Sequence, residues 1–126
     1  MTTLKIKTSE LIGPALDWAV AKREYDELAA KNIQYPQYAK HYPKISPSTD
    51  WALAGPIIER QKIRLSVEDN GTWWAERRLF DDGHQAYATS YDKATVSNGP
   101  TPLIAAMRCY VASKLGDEVE VPEELV

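Results

Sequence analysis

The sequence predicts an α+β domain: a small antiparallel sheet of three to four strands covered by helices, in an α-β-α sandwich-like arrangement. Three observations lead there. Residues 63–68 alternate apolar and polar side chains and run into Asp69-Asn70-Gly71, the signature of a strand entering a hairpin. Residues 11–20 and 103–115 carry apolar side chains at helical spacing, each behind a helix-start signal. The chain has 126 residues, 44% hydrophobic and 26% charged, enough for one compact domain with its own core.

The first element is a short strand at residues 4–7, after which Thr8 or Ser9 is expected to cap a helix. That helix places Leu11, Ile12, Ala15, Leu16, Ala19 and Val20 in one stripe, with Trp18 at its edge. Pro14 fits its first turn, where a missing N–H matters least, and Gly13 separates a leading turn from the rest. The helix should reach about Lys22 and extend as far as Ala30. Residues 31–47 contain Tyr35-Pro36 and Tyr42-Pro43, and because proline disfavours helix at the preceding position they read as an extended loop. Ser48 then reads as an N-cap with Asp50 in the first turn of a helix carrying Trp51, Ile57 and Ile58, which Gly55-Pro56 should kink or split.

In the hairpin, a three-residue loop with a left-handed Gly71 pairs Val67 with Trp73, Leu65 with Ala75 and Arg64 with Glu76. A two-residue Asn-Gly loop would set Leu65 against Glu76, so the longer loop is preferred. Trp73 then enters the apolar face, and Trp74 lies on the other face beside Arg64 and Glu76. A third strand is expected at residues 85–91, after the Asp81-Asp82-Gly83 turn. The last helix opens with Thr101 as cap and Pro102 at its first position, and Gly116 ends it. Leu103, Ile104, Met107, Val111 and Leu115 form its core stripe. Ala105, Ala106, Cys109, Ala112 and Ser113 make its other side small and nearly uncharged, as in helices buried on more than one side. That small face meets either the first helix or a second subunit, which would make a homodimer. Residues 117–126 concentrate acid and read as a solvated C-terminal tail, within a single domain of residues 1–126.

A net charge of −3 and a pI near 5.4 argue against duplex nucleic acid, which is bound largely by neutralising phosphates. There is no apolar run of membrane-spanning length and no signal-peptide pattern at Met1-Thr-Thr-Leu-Lys5, so no membrane association is expected. The single cysteine, Cys109, sits in an apolar helical pattern and reads as a buried thiol. His41 and His84 lack neighbours at metal-ligand spacing, and the sequence has no nucleophile elbow, phosphate loop or His-Glu-x-x-His. No cofactor, metal or enzymatic activity is expected.

Binding is easier to argue. Trp51, Trp74, Tyr87 and Tyr91 offer flat surfaces on which a base or ring can stack. Arg108, at the margin of the last helix's stripe, can reach water, pair with Glu59, or hold a phosphate or carboxylate bidentately. The loop at residues 97–101 leads into a helix N-terminus that favours anions, although Pro100 and Pro102 remove two donors. Ser48 and Thr49 cap a helix in the plainer reading. If the two helix starts lie side by side, Ser48, Thr49, Trp51, Thr101 and Arg108 converge on one pocket, with Trp74 as a further ligand-binding residue.

Two ordered blocks, Ser46-Pro-Ser-Thr-Asp-Trp-Ala-Leu-Ala-Gly-Pro-Ile-Ile-Glu-Arg60 and Gly99-Pro-Thr-Pro-Leu-Ile-Ala-Ala-Met-Arg-Cys-Tyr-Val-Ala-Ser-Lys-Leu-Gly-Asp-Glu-Val-Glu-Val-Pro122, resemble the NinX-like accessory proteins of lambdoid phages. The resemblance begins at Lys5-Ile-Lys-Thr-Ser-Glu-Leu11 and Ala15-Leu-Asp-Trp-Ala-Val-Ala-Lys22, weakens between Arg77 and Asn98, and makes residues 31–47 an insertion. It implies a phage protein working in the bacterial host's cytoplasm and names no reaction. Ser-Thr-Asp before one helix and Thr-Pro-Leu before the last are also similar, over a shorter stretch, to phage α-β-α sandwich proteins. The order helix, three strands, helix resembles double-stranded RNA-binding domains, but their basic helix-start contacts are missing here. The expectation is a non-enzymatic accessory protein that binds a small anionic, nucleotide-derived ligand and sequesters a host anti-phage defence signal. The alternative is an interaction module that binds and modulates a host or phage protein.

Overall fold

The last helix is the centre of the molecule. In a computed structural model, which describes residues 2–30, 45–78 and 94–126 apart from the side chains of 27–30 and 78, nine consecutive residues of that helix, 103–111, are buried. The elements in order are β1 (Thr3–Lys7), a 3-10 turn (Thr8–Glu10), α1 (Gly13–Ala30), α2 (Trp51–Gln61), β2 (Arg64–Val67), β3 (Trp73–Arg78), β4 (Ala94–Gly99), α3 (Pro102–Leu115), β5 (Glu118–Pro122) and a closing 3-10 turn (Glu123–Leu125). The strands form two antiparallel sheets, β1–β5 and β2–β3–β4, so the fold is α+β. Among the described residues, α3 packs on one face of the three-stranded sheet and meets α1 on its far side. Among the described residues, no helix other than α3 makes comparable contact with that sheet.

Pro14 stands in the first turn of α1, as its missing N–H requires, and the helix runs the full length to Ala30. Leu11, Ala15, Leu16, Ala19 and Val20 are buried, while Ile12 is 53% exposed and leaves the expected stripe. Thr8 does not cap this helix. Its hydroxyl donates to the Gly116 carbonyl (2.6 Å) and its N–H to the Asp117 carbonyl (2.7 Å), tying the end of β1 to the turn after α3.

The helix after Ser48 starts differently from the sequence reading. Its N-cap is Asp50, whose carboxylate accepts from the Ala52 N–H at 2.9 Å. Ser48 is buried two residues earlier, and both its backbone N–H (2.9 Å) and its side chain are turned to the Asp17 carboxylate of α1 instead of capping. Pro56 is carried inside one unbroken helix, which ends where Lys62 turns left-handed at φ 56°.

The hairpin register is the one the three-residue loop dictates: Val67 opposite Trp73, Leu65 opposite Ala75, Arg64 opposite Glu76. Glu68 and Thr72 close the loop (2.9 Å), and Gly71 takes φ 89°. The expected third strand at residues 85–91 and the Asp81-Asp82-Gly83 turn lie outside the described residues, as does the loop up to residue 44. The strand beside β3 is β4, from Trp73↔Gly99 to Arg78↔Ala94, so Ser97-Asn98-Gly99 is strand and not the loop expected there. Gly99 explains why the strand lies so close under α3. A Cβ on it would stand 2.9 Å from both the Ala105 amide nitrogen and Ile104 Cγ2.

α3 begins and ends as predicted: the Thr101 hydroxyl accepts from the Ile104 N–H (3.1 Å), Pro102 follows, and Gly116 closes the helix at φ 93°. Part of its small face packs on β4. Ala105 abuts Gly99, and the Cys109 thiol donates to the Thr95 carbonyl (3.4 Å). Residues 118–122, expected as part of a solvated tail, pair with β1 along its whole length, Thr3↔Pro122 to Lys7↔Glu118. The reason is the alternation Glu-Val-Glu-Val: Val119 and Val121 are buried while Glu118 and Glu120 face water.

Candidate functional site

Arg108 reaches out of α3 to two backbone carbonyls. Its Nε donates to the Leu11 carbonyl (2.7 Å) and its Nη1 to the Asn98 carbonyl (3.0 Å), joining the start of α1 to β4. The residue is 9% exposed, and burial lowers the pKa of its guanidinium. Its two bonds go to neutral oxygens and not to Glu59. Thr101, in the same corner, uses its hydroxyl as the α3 cap. Ser48 is tied to Asp17, in the second turn of α1, and Arg108 to Leu11, just before it, so both family-like blocks are fastened to the beginning of α1. Burial raises the pKa of Asp17, and the backbone and side-chain hydrogen bonds from Ser48 work against that rise.

The six sequence-predicted residues do not gather in one described cavity. Thr101 and Arg108 hold the chain's own backbone, and Ser48 is bound to the Asp17 carboxylate. Thr49 is exposed, with its hydroxyl on the Ser46 carbonyl (3.3 Å). Trp51 opens α2 with 55% of its surface in water. Trp74 stands apart from all of them, on the sheet. Tyr87 and Tyr91 lie outside the described residues.

Trp74 is where the hairpin register puts it. Trp73 and Ala75 face α3, and the period of two turns Trp74 to the other face, between Ser66 of β2 and Asn98 of β4. Arg64 and Glu76 extend that face on one side, and Val96, 54% exposed, on the other. The indole N–H donates to the Glu68 carboxylate, which fixes the ring over the sheet. The face is flat and mixed: one large aromatic, one valine and charges of both signs.

Sequence reasoning missed a groove on the other side of β4. It has a volume of about 540 Å³ and runs between residues 94–97 of β4, Ala112 of α3, and the end of the β1–β5 ladder at Lys7, Ser9 and Glu118. No motif pointed to it, because its walls come from three distant stretches, with small residues along β4 and α3 and charged ones at the end of the β1–β5 ladder. Elsewhere the titratable groups serve packing. Glu24 of α1 accepts from the buried Tyr110 hydroxyl and from Arg60 of α2, joining the three helices. Cys109 is buried, and burial pushes its thiol up to about 12. Among the described residues no three His, Cys, Asp or Glu side chains come together as a metal site, and no helix is long and apolar enough to cross a membrane.

The described residues thus form a small α+β scaffold, with a sheet face that α3 does not cover and a groove along a sheet edge. A family model described as bacteriophage P22 NinX matches residues 7–114. The chain belongs to that family of phage proteins. None of the curated proteins matches it.

Proposed function

We propose that this phage accessory protein acts without chemistry of its own, as an interaction module that binds a host or phage protein through the open face of the β2–β3–β4 sheet. The observation that carries the reading is Trp74, held by Glu68 at the middle of a face that α3 leaves uncovered. A tryptophan on a flat surface with polar neighbours suits a protein partner: it supplies a large apolar contact, and the rim gives orientation. Small molecules are usually held in concave sites, and the groove in this structure lies on another side, with carboxylates at Asp117 and Glu118.

A nucleotide-like anion, sequestered as a host defence signal, is the second reading. Arg64 sits diagonally from Trp74 on the neighbouring strand, so a base on the indole and a phosphate on the guanidinium would share one face. The two readings separate on what the protein carries. Isolated natively from infected host cells, it should bring down a stoichiometric polypeptide that Trp74→Ala loses while its unfolding midpoint stays unchanged. A bound nucleotide, lost in both Trp74→Ala and Arg64→Ala, would establish the second reading. Equal recovery of partner by wild type and Trp74→Ala would remove the sheet face from either.

A further inference from the structure

We infer that the groove beside β4 is a strand-addition site, which takes an extended segment of another protein with a basic residue at one end. It rests on the reading of the protein as a binder of proteins and assigns that binding a second surface.

Among the described residues β4 is the edge strand of its sheet, and the phase of the ladder shows which of its backbone groups face outward. Glu68 donates to Thr72 across the hairpin loop, which makes 68 and 72 a hydrogen-bonded pair and, by alternation, directs the backbone groups of Trp74 towards β2. Those of Trp73, Ala75 and Arg77 therefore point to β4, where they meet Gly99, Ser97 and Thr95. The backbone N–H and C=O groups of Ala94, Val96 and Asn98 are left on the outer edge. The Asn98 carbonyl is taken there by Arg108, as that phase requires, and this closes one end of the edge. From Ser97 back to Ala94 the edge faces the groove.

Size and shape select the occupant. Four residues of strand are about 13 Å long, and a strand occupies about 4.8 Å within a sheet and about 10 Å across it, or about 600 Å³. The groove, at about 540 Å³, is of the same order as one such segment. The groove is walled on the side away from β4 by Lys7, Asp117 and Glu118 at the end of the β1–β5 ladder, and a bounded groove of this kind suits a lone segment better than the sheet edge of a second copy. A row of alternating N–H and C=O groups is answered best by another extended backbone. Ala112 at the side of the groove admits small side chains, and Asp117 and Glu118 against the single Lys7 favour a lysine or arginine at that end.

The test uses the full chain and a random dodecapeptide display library. The best peptide, made synthetically, should be extended and carry a basic residue. It should slow exchange of the Val96 amide in the wild-type protein. Val96→Pro removes an outward N–H and Ala112→Phe fills the groove, and each should weaken binding about tenfold or more. Unfolding midpoints control for folding, and if Val96→Pro does not fold, Ala112→Phe and the exchange measurement decide. Trp74→Ala should bind the peptide like wild type, which separates this site from the open sheet face. Absence of any enriched peptide, undiminished binding to Ala112→Phe, or a peptide that leaves the Val96 amide unprotected would overturn the inference. So would a concentration-dependent dimer that Val96→Pro dissolves, because the edge would then belong to a second copy.

Discussion

Arg108 shows how a charged residue in a core can be structural without an acidic partner. Its cost is the desolvation of the guanidinium, and its return is two buried carbonyls satisfied at once, Leu11 and Asn98. Replacing it with methionine keeps the packing of the stem but leaves those oxygens without their donor. Arg108→Met should lower stability by about 2–4 kcal/mol in urea unfolding; a loss under about 1 kcal/mol would mean that water replaces the guanidinium. Asp17 gives a pH signature. Its carboxyl is raised above 3.8 in the folded chain, chiefly by burial, so the native state holds its proton more tightly than the unfolded one. The stability this group contributes is present below 3.8 and is lost as pH rises towards the raised native value. In Asp17→Asn that fall should vanish, while the new amide oxygen still accepts from Ser48. A pH–stability curve parallel to wild type across that window would rule the carboxyl out as its source. The sequence placed Arg108 at the margin of the stripe, but nothing in it shows that a carbonyl from residue 11 comes within reach. Its partners are backbone atoms, and backbone atoms leave no pattern in side-chain identities.

At the scale of elements, what local chemistry decides was legible and what distant packing decides was not. The hairpin register followed from one turn and from which pairing keeps Leu65 opposite an apolar residue, and the α3 cap followed from Thr101-Pro102. β4 carries no comparable signal: Ala-Thr-Val-Ser-Asn-Gly is strand because β3 needs a neighbour and α3 needs a floor. Ser48 failed as a cap for the same reason, since Asp17, 31 positions away, takes its side chain as well as its N–H. Gly99 marks the tightest packing between sheet and helix. Gly99→Ala drives a methyl against the backbone of α3, which cannot move as a side-chain tip can, and should cost about 1–3 kcal/mol by the measure of overpacked cores. Thr101→Ala, one helix turn away, loses only a cap and should cost about 1 kcal/mol. Measured in one series of unfolding curves, the glycine variant should be the weaker; the reverse order would show that α3 shifts freely over β4.

The whole molecule is built around α3 from both ends of the chain. β1 comes first and β5 last, and their pairing closes a second sheet that contacts both α1 and α3. The family match ends at residue 114, before β5 begins, yet that strand is part of the fold. Its two valines are buried, the Glu123 N–H donates to the Thr2 carbonyl, and Thr8 holds the turn between α3 and β5. Acid-rich composition hid this, because Glu118 and Glu120 are what a solvated tail would also show; only the valines between them distinguish a half-buried strand. Ending the chain at residue 116 should therefore unfold it or leave it marginal. Val119 and Val121 alone are worth about 1.5–3 kcal/mol each, before the five paired residues of β1 lose their ladder, against a typical domain stability of about 5–15 kcal/mol. Urea unfolding of the shortened protein should show a broad or absent transition and rapid proteolysis. Glu118→Gln with Glu120→Gln, which removes the acid but keeps the strand, should stay within about 0.5 kcal/mol of wild type. If the shortened chain unfolds as cooperatively as the full one and the double glutamine variant does not, the end of the chain acts through its charge and not as a strand.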